Sequence, residues 1–293
     1  MFEQRRARIV LCRQDNTHAT ERIDRRLSLC HIFMGLAACN CFSGCRSAPM
    51  TGRKQLLMMP ESQELSLGEK TYREVTAEGK ESSNARYREI VSRVGHRIAA
   101  VAGRGDYKWE FRVLASNEQN AFCLPGGKVA VHEGILPVCE NEAGLAVVMS
   151  HEIAHALARH GGERMSQNVA VDGVKTAVGY VLQNQAEVKR EAAMKAYGLA
   201  SEYGVLLPYS RKHELEADHI GVMLMAEAGY DPSEAPKFWK RFGNTADATG
   251  KPAEFMSTHP SDERRSQELT RLLPEAQGHF AKAANPIGLG ENI

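Results

Sequence analysis

Residues 141 to 160, NEAGLAVVMSHEIAHALARH, read as one helix that carries His151 and His155 four positions apart. Residues at that spacing stand one turn above each other, so the two imidazoles point the same way. Such a pair suits one metal ion. Glu152 is rotated by about 100° from His151, close enough to reach a water held on that ion but badly placed to be a ligand on the same axis. The H-E-x-x-H pattern therefore points to zinc-dependent hydrolysis, with Glu152 as the general base. A chain this long shows the pattern by accident roughly once in a hundred, so its surroundings must supply the rest.

A catalytic zinc site takes three protein ligands and keeps a position open. The extended pattern H-E-x-x-H-x-x-G-x-x-H fails here, because its last position is Gly161. His160 falls about 140° around the helix from His155 and reads as a solvent or capping histidine. Downstream, YSRKHELEADHIGVMLMAEAGY, residues 209 to 230, makes a second helical segment. Glu214 and Asp218 share one of its faces, while Glu216 points about 200° away from each. Glu214 is thus the expected third ligand, with His213 and His219 as competitors. Asp218 is expected to hydrogen-bond a ligand imidazole and fix its tautomer.

These residues need a frame. The stripes Leu65, Leu67, Tyr72, Val75 and Tyr87, Ile90, Val91, Val94, Ile98, Val101 predict two core-facing helices. Tyr107, Trp109, Phe111 and Val113 alternate as in a strand, and after Pro125-Gly126-Gly127 a second strand covers Val129, Ala130 and Val131. Lying just before the metal helix, that strand is either a sheet edge for pairing with an extended peptide or simply one arm of a hairpin. His132 beside it reads as a surface histidine. Further helices are expected over 232 to 243 and 260 to 273, with a loosely ordered tail over 274 to 293.

The 293 residues are 43% hydrophobic and 25% charged, enough for a full core without a disulfide framework. The formal net charge of +1 comes with no basic cluster interleaved with aromatics beyond the N-terminus, which argues against a nucleic-acid partner. Residues 1 to 45 have the order of an export signal: an Arg-rich start, then an uncharged stretch over 27 to 45 that is short for a membrane span. Five of the seven cysteines fall there. Cys39, in Leu36-Ala37-Ala38-Cys39, fits a bacterial lipidation signal best by residue type, and Cys45 follows Gly44 less strictly. Residues 46 to 60 read as a linker.

The segments NAFCLPGGKVAVHEGIL, VVMSHEIAHALARHGGER, YSRKHELEADHIG and STHPSDERR, in that order, resemble peptidase family M48, the HtpX and CAAX prenyl protease type. The likeness covers about residues 62 to 273. It implies an α+β, mostly helical zincin (gluzincin) domain over 61 to 273, with a small sheet beside the active helix. It implies one zinc on His151, His155 and Glu214, Glu152 as base, and Asp218 behind them. It adds His259, in Thr258-His259-Pro260, as a residue of the active site that stabilises the oxyanion or regulates access. Asn120, with Val129, Ala130 and Val131, is expected to hold substrate. The resemblance of 49 to 63 to bacterial lipoprotein members favours Cys45 as the lipidated residue. The expected protein is a periplasmic, membrane-anchored lipoprotein cutting misfolded or misassembled envelope proteins; the alternative is a zinc-binding, chaperone-like module that holds them with little cleavage.

Overall fold

The chain runs through a strap, two helices, a small sheet and then a series of helices that carries the site. The computed structural model describes residues 45–202, 206–244, 255, 258–260 and 263–293. The expected leader, with Cys39 and the side chain of Cys45, lies outside the described residues. The strap holds two short paired strands, β1 (Cys45–Ser47) and β2 (Lys54–Leu56). Helices α1 (Glu61–Glu78) and α2 (Ala85–Val101) follow, the second capped by Asn84, whose side chain accepts from the Tyr87 amide. Ile90, Val91, Val94 and Ile98 of α2 are buried, the face that the stripe marked.

Strands β3 (Glu110–Leu114), β4 (Ala121–Leu124) and β5 (Lys128–His132) form one sheet in the order β3-β5-β4. β5 pairs parallel with β3, Val113 opposite Val131, and antiparallel with β4, Ala121 opposite Val131. The expected edge strand is therefore the central one. Val129, Ala130 and Val131 are fully buried and their backbones are engaged on both sides, which leaves them no groups for an incoming peptide. The connection Pro125-Gly126-Gly127 explains the placement, since Gly126 and Gly127 at φ 92° and 81° fold β5 straight back onto β4.

After a short helix α3 (Leu136–Cys139), the helix α4 (Glu142–Leu157) crosses the middle of the fold. Asn141 caps it, accepting from the Gly144 amide at 2.9 Å. Every residue of α4 is buried except His155, which is half-buried. A helix that is apolar nearly all round belongs inside the protein, and each of Leu145, Met149 and Ile153 contributes about 1.5–3 kcal/mol by leaving water. Helix α4 ends earlier than its pattern suggests. Arg159 takes φ 53°, ψ 36°, and the chain restarts as α5 (His160–Val181), which pairs with α6 (Glu187–Ser201).

Helix α7 (Leu207–Glu227) packs along α4, α8 (Glu234–Phe242) covers one end, and α9 (Glu263–Phe280) lies on α7. Gly221 lets α7 approach closely: a Cβ there would stand 3.1 Å from the His151 amide nitrogen. The segment expected to be a loose tail instead continues α9 through Pro274 and then returns to α4. The Glu142 and Ala143 amides, two of the four in the first turn that lack a helical acceptor, donate to the carbonyls of Glu291 and Leu289 at 2.9 and 3.0 Å. The fold is α+β and mostly helical, and no described helix is long and apolar enough to cross a membrane.

Candidate metal centre

The close crossing of α4 and α7 brings His151, His155 and Glu214 together, and His259 closes over them from the segment before α9. One nitrogen or oxygen of each of these four residues lies within 4.8 Å of the others. His151 Nε2 stands 3.1 Å from His155 Nε2, 3.3 Å from Glu214 Oε2 and 3.2 Å from His259 Nδ1. His155 Nε2 is 3.5 Å from Glu214 Oε1. Ligand atoms on a tetrahedral ion with bonds of about 2.0–2.2 Å stand roughly 3.3–3.5 Å apart, so the set has the dimensions of one metal ion.

The polar atoms make the same point. Buried Glu214 Oε1 and Glu152 Oε1 have no hydrogen-bond partner among the described residues. Native interiors rarely leave such atoms unpaired unless a ligand completes them, and these two face converging imidazole nitrogens. The donor set of imidazoles and carboxylate suits a divalent cation.

Each ligand candidate is held from behind. His151 Nδ1 lies 3.1 Å from Asp218 Oδ1, where the carboxylate favours the tautomer whose Nδ1–H points to it and leaves Nε2 with a free lone pair. Asp218 is in turn gripped by Arg265, with two nitrogens at 2.7 Å, and Arg265 also reaches Glu214 at 3.2 Å. The guanidinium rests over the Trp239 ring, 4.1 Å from its centroid. Burial alone would raise the Asp218 carboxyl, yet Arg265 and His151 hold it below its ordinary range. Burial likewise opposes ionisation of Glu214, but His151 and His259 hold that carboxyl far below the usual value.

Glu152 is different. Burial pushes its carboxyl up to about 7, against the pull of His259, with Glu214 adding to the rise. A carboxylate poised there takes and returns protons near neutrality. His259 Nε2 is 3.4 Å from Glu152 Oε1, while its Nδ1 is 3.1 Å from Glu214 Oε2, so this ring spans the mouth of the cluster.

Other expected positions lie elsewhere. His160 is 1% exposed, not a surface residue, and its Nδ1 meets His155 Nδ1 at 2.9 Å. The wheel angle fails because the helix breaks at Arg159. His213 is also buried, 3.0 Å from Glu163, and belongs with His219 outside the four-residue cluster. His132 is largely covered and stands 3.3 Å from Glu118. Asn120 opens β4, with Oδ1 accepting from the Ala121 amide at 2.9 Å. Arg265 is the residue that spacing reasoning passed over. It stands in the quoted STHPSDERR segment, but nothing local marks which of the two arginines there turns inward.

Against this geometry stand the comparisons with known proteins. The pattern of peptidase family M48 matches residues 85–273. The chain is 39% identical over 239 residues to "Mitochondrial metalloendopeptidase OMA1" of Schizosaccharomyces pombe, covering 80% of this chain and 68% of that one. It is 32% identical over 207 residues to "Putative beta-barrel assembly-enhancing protease" of Vibrio cholerae, covering 67% and 43%. With the corresponding protease of Escherichia coli O157:H7 it shares 28% over 238 residues, covering 78% and 49%.

Proposed function

From the premise that this chain belongs to peptidase family M48 and is a metalloendopeptidase, we propose that it is a zinc enzyme cutting misfolded or misassembled envelope proteins. His151, His155 and Glu214 would hold the zinc, and Glu152 would be the base. The observation that carries these assignments is that one nitrogen or oxygen of each of His151, His155, His259 and Glu214 lies within 4.8 Å of the others, with Glu214 Oε1 and the neighbouring Glu152 Oε1 lacking hydrogen-bond partners among the described residues. When bound, zinc supplies Lewis-acid polarisation of the scissile carbonyl and makes the attacking water more acidic.

The protein's own residues do the rest. Glu152 accepts the proton of the attacking water on its carboxylate and passes it to the leaving amine, for which its position near neutrality suits it. Asp218 and Arg265 keep His151 and Glu214 aimed inward. His259, which bridges Glu152 and Glu214 at 3.4 and 3.1 Å, would regulate access by turning away as substrate enters. The substrate strand is best sought at β4. Among the described residues β4 pairs only with β5, and it lies beside α4, so an extended peptide can add along Ala121–Leu124 with Asn120 at its end.

The name of the bacterial relatives supports an envelope substrate. The export-type order of residues 1 to 45 supports a periplasmic protein, anchored through a lipidated Cys45. The test is metal content and casein hydrolysis of the wild type beside Glu152→Gln. Both proteins are expected to bind about one zinc, with only the wild type cutting. Full activity in a metal-loaded Glu152→Gln would overturn the mechanism.

A further inference from the structure

Behind the metal cluster lies a second buried group of polar side chains that the hydrolysis does not use. It begins at the break after α4. Arg159 holds its left-handed backbone while its guanidinium clamps Glu64 at 2.7 and 2.9 Å. The reversal turns His160 back toward His155, their Nδ1 atoms 2.9 Å apart. His160 Nε2 lies 2.9 Å from Glu216 Oε2. The far carboxylate is fixed by the strap: Arg53 Nε reaches Glu216 at 2.7 Å, and the Thr51 hydroxyl donates to its other oxygen. Arg53 also grips Glu163 at 2.6 and 2.9 Å, and Glu163 takes Gln55 and His213, both at 3.0 Å. The His213 ring stacks on His160, with centroids 4.2 Å apart.

The protons in this chain follow from its end. Glu216, ion-paired with Arg53, only accepts, so His160 carries its proton on Nε2. The Nδ1 of a neutral His160 is then a lone pair, and His155 must place its own proton on Nδ1 to meet it. His155 Nε2 is thereby left bare, facing His151 and Glu214. Asp218 settles the tautomer of His151 directly, whereas for His155 the same task passes through another histidine.

We propose that His160 and Glu216 are positioning residues of the metal centre. Their hydrogen-bond chain, anchored by Arg53 and Thr51 of the strap, holds His155 in the tautomer and orientation that a metal ion requires. This rests on the reading of His155 as a ligand. Residues 46 to 60, expected as a linker, become part of the site's support.

The test uses the full chain and measures zinc affinity by competition with a chromophoric chelator for His160→Ala, His160→Asn, Glu216→Gln and His155→Ala. Loss of an outer partner typically weakens metal binding 10- to 100-fold, and that is the loss expected for His160→Ala. His160→Asn places a carbonyl oxygen where Nδ1 stood and should remain within about threefold of wild type, since it can still accept the His155 proton. Glu216→Gln, which keeps the volume but loses the ion pair with Arg53, should fall between them. Nitrogen-15 shifts of the metal-free protein should show His155 protonated on Nδ1 in the wild type and a tautomer mixture in His160→Ala. Wild-type affinity in His160→Ala, or a loss in His160→Asn equal to that in His160→Ala, overturns the inference. If His155→Ala keeps wild-type affinity, the ligand reading itself fails, and the inference with it. If His160→Ala is unfolded, the Glu216→Gln affinity and the His155 shifts in that variant decide in its place.

Discussion

Helices α4, α5 and α7 carry two buried polar clusters side by side, and their hydrogen bonding differs. In the front cluster, Glu152 Oε1 and Glu214 Oε1 have no hydrogen-bond partner among the described residues, and imidazole nitrogens face each other at 3.1 and 3.2 Å. Behind it, Arg53 satisfies both Glu163 and Glu216, and each carboxylate also takes a histidine. A buried polar group is costly unless it is paired. The cluster left incomplete is therefore the one shaped for a ligand, and the completed one serves to hold it. The incompleteness carries a stability cost of the kind that functional sites tolerate.

The largest losses should come at the front cluster. Glu214→Ala should abolish both stoichiometric metal binding and hydrolysis, read by metal analysis after dialysis and by casein cleavage; a variant that keeps its metal would show the front cluster to be no binding site. At the rear the effect should appear in stability instead. Removing one partner of a buried pair costs about 3–5 kcal/mol, and because Arg53 is partly exposed, Arg53→Ala should cost about 2 kcal/mol in urea unfolding of the metal-free protein. Glu152→Gln, whose Oε1 has no hydrogen-bond partner among the described residues, should change that stability by less than about 1 kcal/mol. If the two variants lose stability equally, the distinction between the clusters is wrong.

Acid should sharpen the contrast further. Although burial alone would raise the Glu163 carboxyl, hydrogen bonds from His213, Arg53 and Gln55 hold it well below the ordinary range. A carboxyl depressed in the folded state contributes stability that is complete above its unfolded value of about 4.3 and is lost as pH falls below it. The urea midpoint of the wild type should therefore drop between pH 5 and 3 more steeply than that of Glu163→Gln; parallel profiles would remove Glu163 from the support. The smallest effect belongs to the α5–α6 pair, where Val181 is 75% exposed. Val181→Asp should leave stability within about 0.5 kcal/mol and metal binding unchanged.

Much of this was legible along the chain. The four-residue spacings of His151 with His155 and of Glu214 with Asp218, and the apolar stripes of α1 and α2, describe faces of single helices, and a helical face is a local property. Where the backbone departed from the regular pattern, the reading failed with it. A helical wheel carried through Arg159 turns His160 to solvent, whereas the left-handed Arg159 breaks the helix and turns it inward. Alternation marks 129–131 as a strand, but strand order is not written in it, and the structure puts this strand at the centre of the sheet.

Spacing along the chain fixes which side chains share a helix face, and through that which residue types a candidate metal site can draw on. Only the tertiary structure decided that Arg53 meets Glu163 and Glu216, 110 and 163 positions away, that Arg265 turns in on Asp218, and that residues 289 and 291 cap α4. Periodicity reports the neighbours that a helix or strand imposes within itself. Partners from distant segments are chosen by which buried charges and open backbone groups the packed core leaves to be satisfied.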